Sequence, residues 1–142
     1  MPTNVLFLCT GNICRSPFAE IVARSLHDGD SFVFSSAGTH AIKSHPATDT
    51  MQEVASDHNL DLSRHMATPL SECELPDVVF GMEQHHLIAA RRQFPELDAS
   101  QIRLLDHPNA VVDPYGLDLE TYRRTAAQVL EALQDIDLES FT

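Results

Sequence analysis

The chain has 142 residues, 43% hydrophobic and 21% charged, enough for one domain over residues 1–142 with its own core and unlike the composition of a disordered chain. Nine basic residues against 21 acidic ones give a net charge of −12, which opposes binding to nucleic acid or anionic lipid and leaves the oligomeric state open. No apolar run approaches the roughly 20 residues of a membrane span, Met1-Pro2-Thr3-Asn4 lacks a basic signal-peptide start, and Cys9, Cys14 and Cys73 are an odd set, so the expectation is a cytoplasmic protein with reduced thiols.

Val5-Leu8 is a short apolar run that reads as a strand buried on both faces. It ends in Cys9-Thr10-Gly11-Asn12-Ile13-Cys14-Arg15-Ser16-Pro17, after which Phe18, Ile21, Val22 and Leu26 follow at helical steps. Phe32-Phe34 reads as a second strand, and Met51, Val54 and Ala55 mark a second helix. Val78-Phe80 is the third strand and Leu87, Ile88 and Phe94 the third helix; Ile102-Leu105 is the fourth strand, before a helix carrying Tyr122, Ala126, Val129, Leu130 and Leu133. This alternation predicts an α/β fold, a parallel sheet with helices on both faces, and a site beyond the carboxyl ends of the strands.

The stretch from Cys9 to Pro17 carries the chemistry. A cysteine and an arginine separated by five residues, on a turn between a buried strand and a helix start, can surround a tetrahedral oxyanion with backbone N–H groups. Gly11 and Asn12 accept the left-handed backbone that turns amides inward, Arg15 offers a bidentate fork, and Ser16 is expected as N-cap with Pro17 at the first helical position. Near the helix start and Arg15, Cys9 meets the conditions that favour a thiolate. Its sulfur could then attack phosphorus without a metal, the loop amides stabilising charge on the oxygens.

Attack on a phosphate monoester also needs an acid for the leaving oxygen. Asp113, in Val111-Val112-Asp113-Pro114-Tyr115-Gly116 after the fourth strand, is a candidate, although by spacing alone Asp106 or Asp118 would serve as well. Adjacent helical residues point apart, so His85-His86 does not read as a metal site, and no cofactor is expected.

Cys9 through Pro17, Ser36-Ala37-Gly38-Thr39 and Asp113-Pro114-Tyr115 resemble, in order and separation, the low-molecular-weight protein tyrosine phosphatases, over nearly the whole chain. The resemblance implies a four-stranded parallel sheet with the phosphate loop after strand 1 and a phosphorylated protein as substrate. It also implies Cys9 as nucleophile, Arg15 as phosphate clamp and Asp113 as general acid and then base. The loop residues Thr10, Gly11, Asn12, Ile13, Cys14 and Ser16 would line the phosphate site, with Ser16 stabilising the thiolate and Asn12 held by Ser36 and His65. Cys14 would form a reversible disulfide with Cys9; Cys73 has no evident partner.

Two neighbouring activities share such a loop. Arsenate reductases need two further cysteines on a later segment, and only Cys73 stands there. Arginine phosphatases match His45-Pro46-Ala47-Thr48 and Met82-Glu83-Gln84-His85-His86 well, but carry threonine where this chain has Ile13, an apolar residue suited to a phenyl ring. Ile42 stands where many tyrosine phosphatases have a tryptophan, leaving Tyr115 as the expected aromatic wall. A non-catalytic phosphate-binding module is the remaining alternative, against which the Cys9, Arg15 and Asp113 set argues.

Overall fold

The computed structural model describes residues 1–142. Four strands, β1 (Thr3–Cys9), β2 (Phe32–Gly38), β3 (Val78–Gly81) and β4 (Ile102–Leu104), alternate with four helices, α1 (Arg15–Leu26), α2 (Asp49–Asp57), α3 (Gln84–Gln93) and α4 (Leu119–Asp135). The strands form one parallel sheet in the order β2-β1-β3-β4. β1 therefore lies between two neighbours, with Val5 paired to both Phe34 and Val78, which explains why its sequence is apolar on both faces.

Alternation along β1 divides the core. Val5, Phe7 and Cys9 point to the side covered by α1, α2 and α4, where they meet Phe18, Val22, Met51, Val54, Val129 and Leu133. Leu6 and Leu8 point to the other side, where Leu87 and Ala90 of α3 pack with Val79, Ile102 and Leu104. The period of 2 in the strand and of 3.6 in the helices thus build two apolar layers. Leu26 and Ile88, read from periodicity as core, lie at helix margins and are largely exposed.

β2 extends four residues beyond the predicted Phe32-Phe34, through Ser35-Ser36-Ala37 to Gly38, because β1 supplies hydrogen-bonding partners along that whole length. Backbone pairing offsets the polar side chains here. Gly38 closes the strand against the loop after β1: a Cβ there would lie 2.5 Å from the Thr10 carbonyl oxygen and 2.9 Å from the Asn12 nitrogen. Only glycine lets these two backbones approach so closely.

Candidate active site

β1 delivers Cys9 to the carboxyl edge of the sheet, where it is buried. The chain then turns through Asn12, whose φ of 56° is left-handed; Gly11 does not share that conformation, contrary to expectation. Asn12 is fully buried and supplies the bonds that hold the turn. Its Nδ2 donates to Ser16 Oγ at 2.8 Å and to Ser36 Oγ at 2.9 Å. Its Oδ1 accepts from the Thr68 amide at 2.9 Å, and its carbonyl oxygen lies 2.6 Å from His65 Nε2. Such bonds offset the cost of αL at a residue with a Cβ. Ser36 passes the network on, donating to Glu20 Oε1 at 2.6 Å.

Ser16 is not the N-cap. The helix begins at Arg15 with Cys14 as cap residue, and no side chain bonds to its first turn. The Ser16 hydroxyl instead faces inward, 2.9 Å from Cys9 Sγ, and Pro17 falls within the first turn, where its missing N–H costs nothing. The backbone N–H groups from Gly11 to Ser16 consequently have no acceptor within the protein. A curved run of free amides at a helix start is an anion-binding surface.

The Arg15 guanidinium is buried. Nη1 donates to Glu83 Oε2 at 2.6 Å and to the Val111 carbonyl at 2.8 Å, while Nη2 lies 3.7 Å from Asp113 Oδ2. Partial burial pushes the Glu83 carboxyl up, but the bond and charge of Arg15, helped by His85, bring it below its usual value. Of the three aspartates left open by spacing, only Asp113 reaches Arg15. Asp106 accepts from Gln128 Nε2 at 2.8 Å, and Asp118 caps α4 by accepting from the Thr121 amide at 2.9 Å. The cap bonds lower the Asp118 carboxyl further.

Two residues of this site, Glu83 and His86, were missed in the sequence. Both follow β3, the strand beside β1, so the parallel topology brings them to the same edge. Glu83, next to a strand end, was the available signal. His86 Nδ1 accepts from the Glu83 amide at 3.0 Å, and Nε2 lies 2.9 Å from Thr10 Oγ1. Burial, then the charges of Arg15 and His85, hold its pKa down to about 3. The ring is therefore neutral, with its hydrogen on Nε2.

The His85 and His86 rings do not point apart: their centroids are 4.1 Å from each other. Glu83, His85 and His86 bring ligand atoms within 4.8 Å, but Glu83 is engaged by Arg15 and both nitrogens of His86 are hydrogen-bonded. A cation would have to break those bonds.

Cys14 Sγ is buried, 3.6 Å from both Tyr122 Oη and Thr48 Oγ1. Burial raises its thiol above the usual value, with the hydroxyl contacts opposing. Burial also pushes Tyr122 up to about 12, so its hydroxyl remains a donor. Ile13 is half-buried against the larger core, whereas Tyr115 and Ile42 are exposed. Cys73 is half-buried, packs against the smaller apolar layer and donates through sulfur to the Pro69 carbonyl. A cavity of about 660 Å³ beside β4, α3 and the C-terminal turn has Asp106 on its wall but none of the residues gathered around Cys9 and Arg15.

Residues 4–139 match the family model described as low molecular weight phosphotyrosine protein phosphatase. The low molecular weight protein-tyrosine-phosphatase Wzb of Escherichia coli K12 is 32% identical, the match covering 94% of this chain and 97% of that one. The protein-arginine-phosphatase of Bacillus subtilis 168 is 29% identical over 94% and 93%. Vibrio vulnificus Wzb, solved in complex with benzylphosphonate, superposes with a TM-score of 0.83 at 27% identity, covering 93% and 94% of the two chains. The four-stranded parallel sheet, the cysteine loop after β1 and these matches together establish that the chain belongs to the low molecular weight phosphotyrosine protein phosphatase family.

Proposed function

We propose that this protein hydrolyses phosphotyrosine in cytoplasmic phosphoproteins through a cysteinyl-phosphate intermediate. The observation that carries the reading is the run of unpaired amides from Gly11 to Ser16 following Cys9, with Arg15 anchored in the same loop. A phosphoryl group accepts from these amides and from the free side of the guanidinium, leaving phosphorus facing Cys9 Sγ. The sulfur attacks in line; the S–P bond forms as the P–O bond to the phenol breaks, and Asp113 gives its proton to the departing oxygen. In the second half, Asp113 takes a proton from water, whose oxygen attacks phosphorus and releases inorganic phosphate and the thiolate.

Ser16 serves both halves by donating its hydroxyl to the sulfur when that carries charge, a direction supported by Asn12 Nδ2 donating to the same Oγ. Asn12, with Ser36 and His65 behind it, keeps the amides convergent. The net charge of −12 favours a protein substrate over nucleic acid. No helix is long and apolar enough to cross a membrane, which accords with a cytoplasmic site of action.

Phosphoarginine is the second reading, favoured by the relative from Bacillus subtilis. Ile13 argues for phosphotyrosine: it presents a half-buried apolar wall beside the loop, with no hydroxyl to orient attack on a guanidinium phosphate. The test is kcat/KM for phosphotyrosine and phosphoarginine peptides at one pH, with the wild type and Ile13→Thr. Phosphotyrosine should be preferred by the wild type, and Ile13→Thr should narrow that preference by removing contact of order 1 kcal/mol. A wild type that prefers phosphoarginine would overturn the choice of substrate.

A further inference from the structure

His86 is fully buried yet belongs to no part of the reaction as proposed. As a helix-terminal residue it needs only one ring nitrogen, and Nδ1 meets that need by accepting from the Glu83 amide at 3.0 Å. The other nitrogen crosses to a different part of the chain, where Nε2–H donates to Thr10 Oγ1 at 2.9 Å, 76 positions away in sequence. Thr10 follows Cys9 directly and precedes the run of free amides. Its backbone carbonyl is held separately by the His40 amide at 2.9 Å.

Close approach of α3 to the sheet makes this possible. A Cβ at Gly81, the last residue of β3, would lie 3.1 Å from His86 Cβ and 2.7 Å from Leu87 Cδ2. A side chain there would displace the end of Leu87 and press directly on the His86 Cβ.

We propose that His86 is a positioning residue that ties the two halves of the anion site together: one ring fixes Thr10, which leads into the amide run, and Glu83, which holds Arg15. The loop and the Arg15 anchor come from separate strand-helix units with no covalent link nearby, so their spacing must be set by contacts across β1 and β3. The Nε2–H bond to Thr10 sets it, His86 being carried on the same helix start as Glu83, while the Nδ1 bond steadies that helix start. Burial keeps the ring neutral, so the same donor and acceptor persist through the physiological range. The inference rests on the proposed reading of the loop as a phosphoryl site.

The test separates the two nitrogens. In His86→Asn the amide falls near the Nδ1 position and keeps the acceptor for Glu83, whereas in His86→Gln it reaches the Nε2 position and keeps the donor to Thr10. Thr10→Val removes the same bond from the other side in a half-exposed residue of equal size. The readouts are affinity for inorganic phosphate by calorimetry, Tm, and kcat/KM for an aryl phosphate.

His86→Asn and Thr10→Val should each weaken phosphate binding about 5- to 20-fold, the worth of one buried hydrogen bond at a preorganised site, and the double variant should be no weaker than either. His86→Gln should bind phosphate within about threefold of wild type while losing more Tm than His86→Asn. The proposal is overturned if Thr10→Val binds phosphate as wild type does, if losses in the double variant simply add, or if affinity follows Tm across all variants. Because phosphate binding is measured directly, a wild type lacking aryl phosphatase activity would count against the proposed reaction alone.

Discussion

Glu83 Oε2 lies 2.6 Å from Arg15 Nη1, so the buried guanidinium of the loop is gripped by a residue 68 positions away at the start of another helix. The Val111 carbonyl takes the same nitrogen at 2.8 Å, which leaves Nη2 to turn toward a bound oxyanion. Charge-assisted bonds of this kind are worth about 1.5–3 kcal/mol. Glu83→Ala should therefore reduce kcat/KM about 10- to 100-fold, with Glu83→Gln less damaging because its amide oxygen still accepts. Steady-state kinetics on an aryl phosphate decide; unchanged kinetics in Glu83→Ala would show that Val111 suffices to orient Arg15.

Asp113 and Asp106 can be told apart by what each holds. Asp113→Asn should slow hydrolysis of substrates with poor leaving groups by about 10²–10⁴-fold while sparing substrate affinity, since it removes the proposed proton donor. Asp106→Asn should leave turnover nearly intact and lower Tm slightly, because Asp106 accepts from Gln128 rather than facing Arg15. If Asp106→Asn is the variant that loses activity, the acid is misassigned.

Cys9→Ser should abolish turnover yet retain phosphate binding, because the amide run and Arg15 are untouched and a serine hydroxyl is a far weaker nucleophile. Mild peroxide should inactivate the wild type reversibly by joining Cys9 and Cys14, the oxidised nucleophile being attacked by the neighbouring thiol. Burial raises the Cys14 thiol, so this closure should accelerate as pH rises. Mass spectrometry of the oxidised protein identifies the bond; a Cys9–Cys73 product would refute the local pair.

Stability should decline from about pH 6.5 downward. His86 has its pKa depressed to about 3 in the fold from the ordinary imidazole value of 6.5, so between those limits the unfolded chain binds a proton that the native chain excludes. Stability conferred by the neutral ring is thus complete above the unfolded value and is lost as pH falls. Glu83, raised by burial but brought below the ordinary carboxylate value by the bond and charge of Arg15, acts in the same direction at lower pH. One proton contributes at most about 1.4 kcal/mol per pH unit. Denaturant melts at several pH values should show a shallower acid slope in His86→Asn; an identical slope would place the proton uptake elsewhere.

The local pattern was sufficient wherever chemistry is written in neighbouring residues. Four apolar strands, the alternation with helices, and the loop from Cys9 to Arg15 were legible because strand burial, helical period and loop chemistry each act over a few positions. Side-chain duty within the loop was less legible. Ser16 has the right residue type for an N-cap, but its hydroxyl is drawn inward to Cys9, and the left-handed turn falls to Asn12 because buried partners secure its side chain. Local propensity describes isolated termini and turns, and here tertiary bonds outweigh it.

Packing across the sheet selects which distant residues complete the site. Asp106, Asp113 and Asp118 are equivalent as letters; packing turns the first to Gln128, uses the third as a helix cap and leaves Asp113 near Arg15. Glu83 carries only its place just after a strand end and His86 no signature of its own, since a glutamate and a histidine three residues apart occur in many helices. They enter the site because β3 pairs directly with β1 and the strand ends align, a register set by long-range backbone pairing and core burial rather than by any neighbouring residue. Short-range pattern sets the loop and the elements that present it; strand order, fixed by pairing between distant segments, sets which carboxylate and which ring meet it.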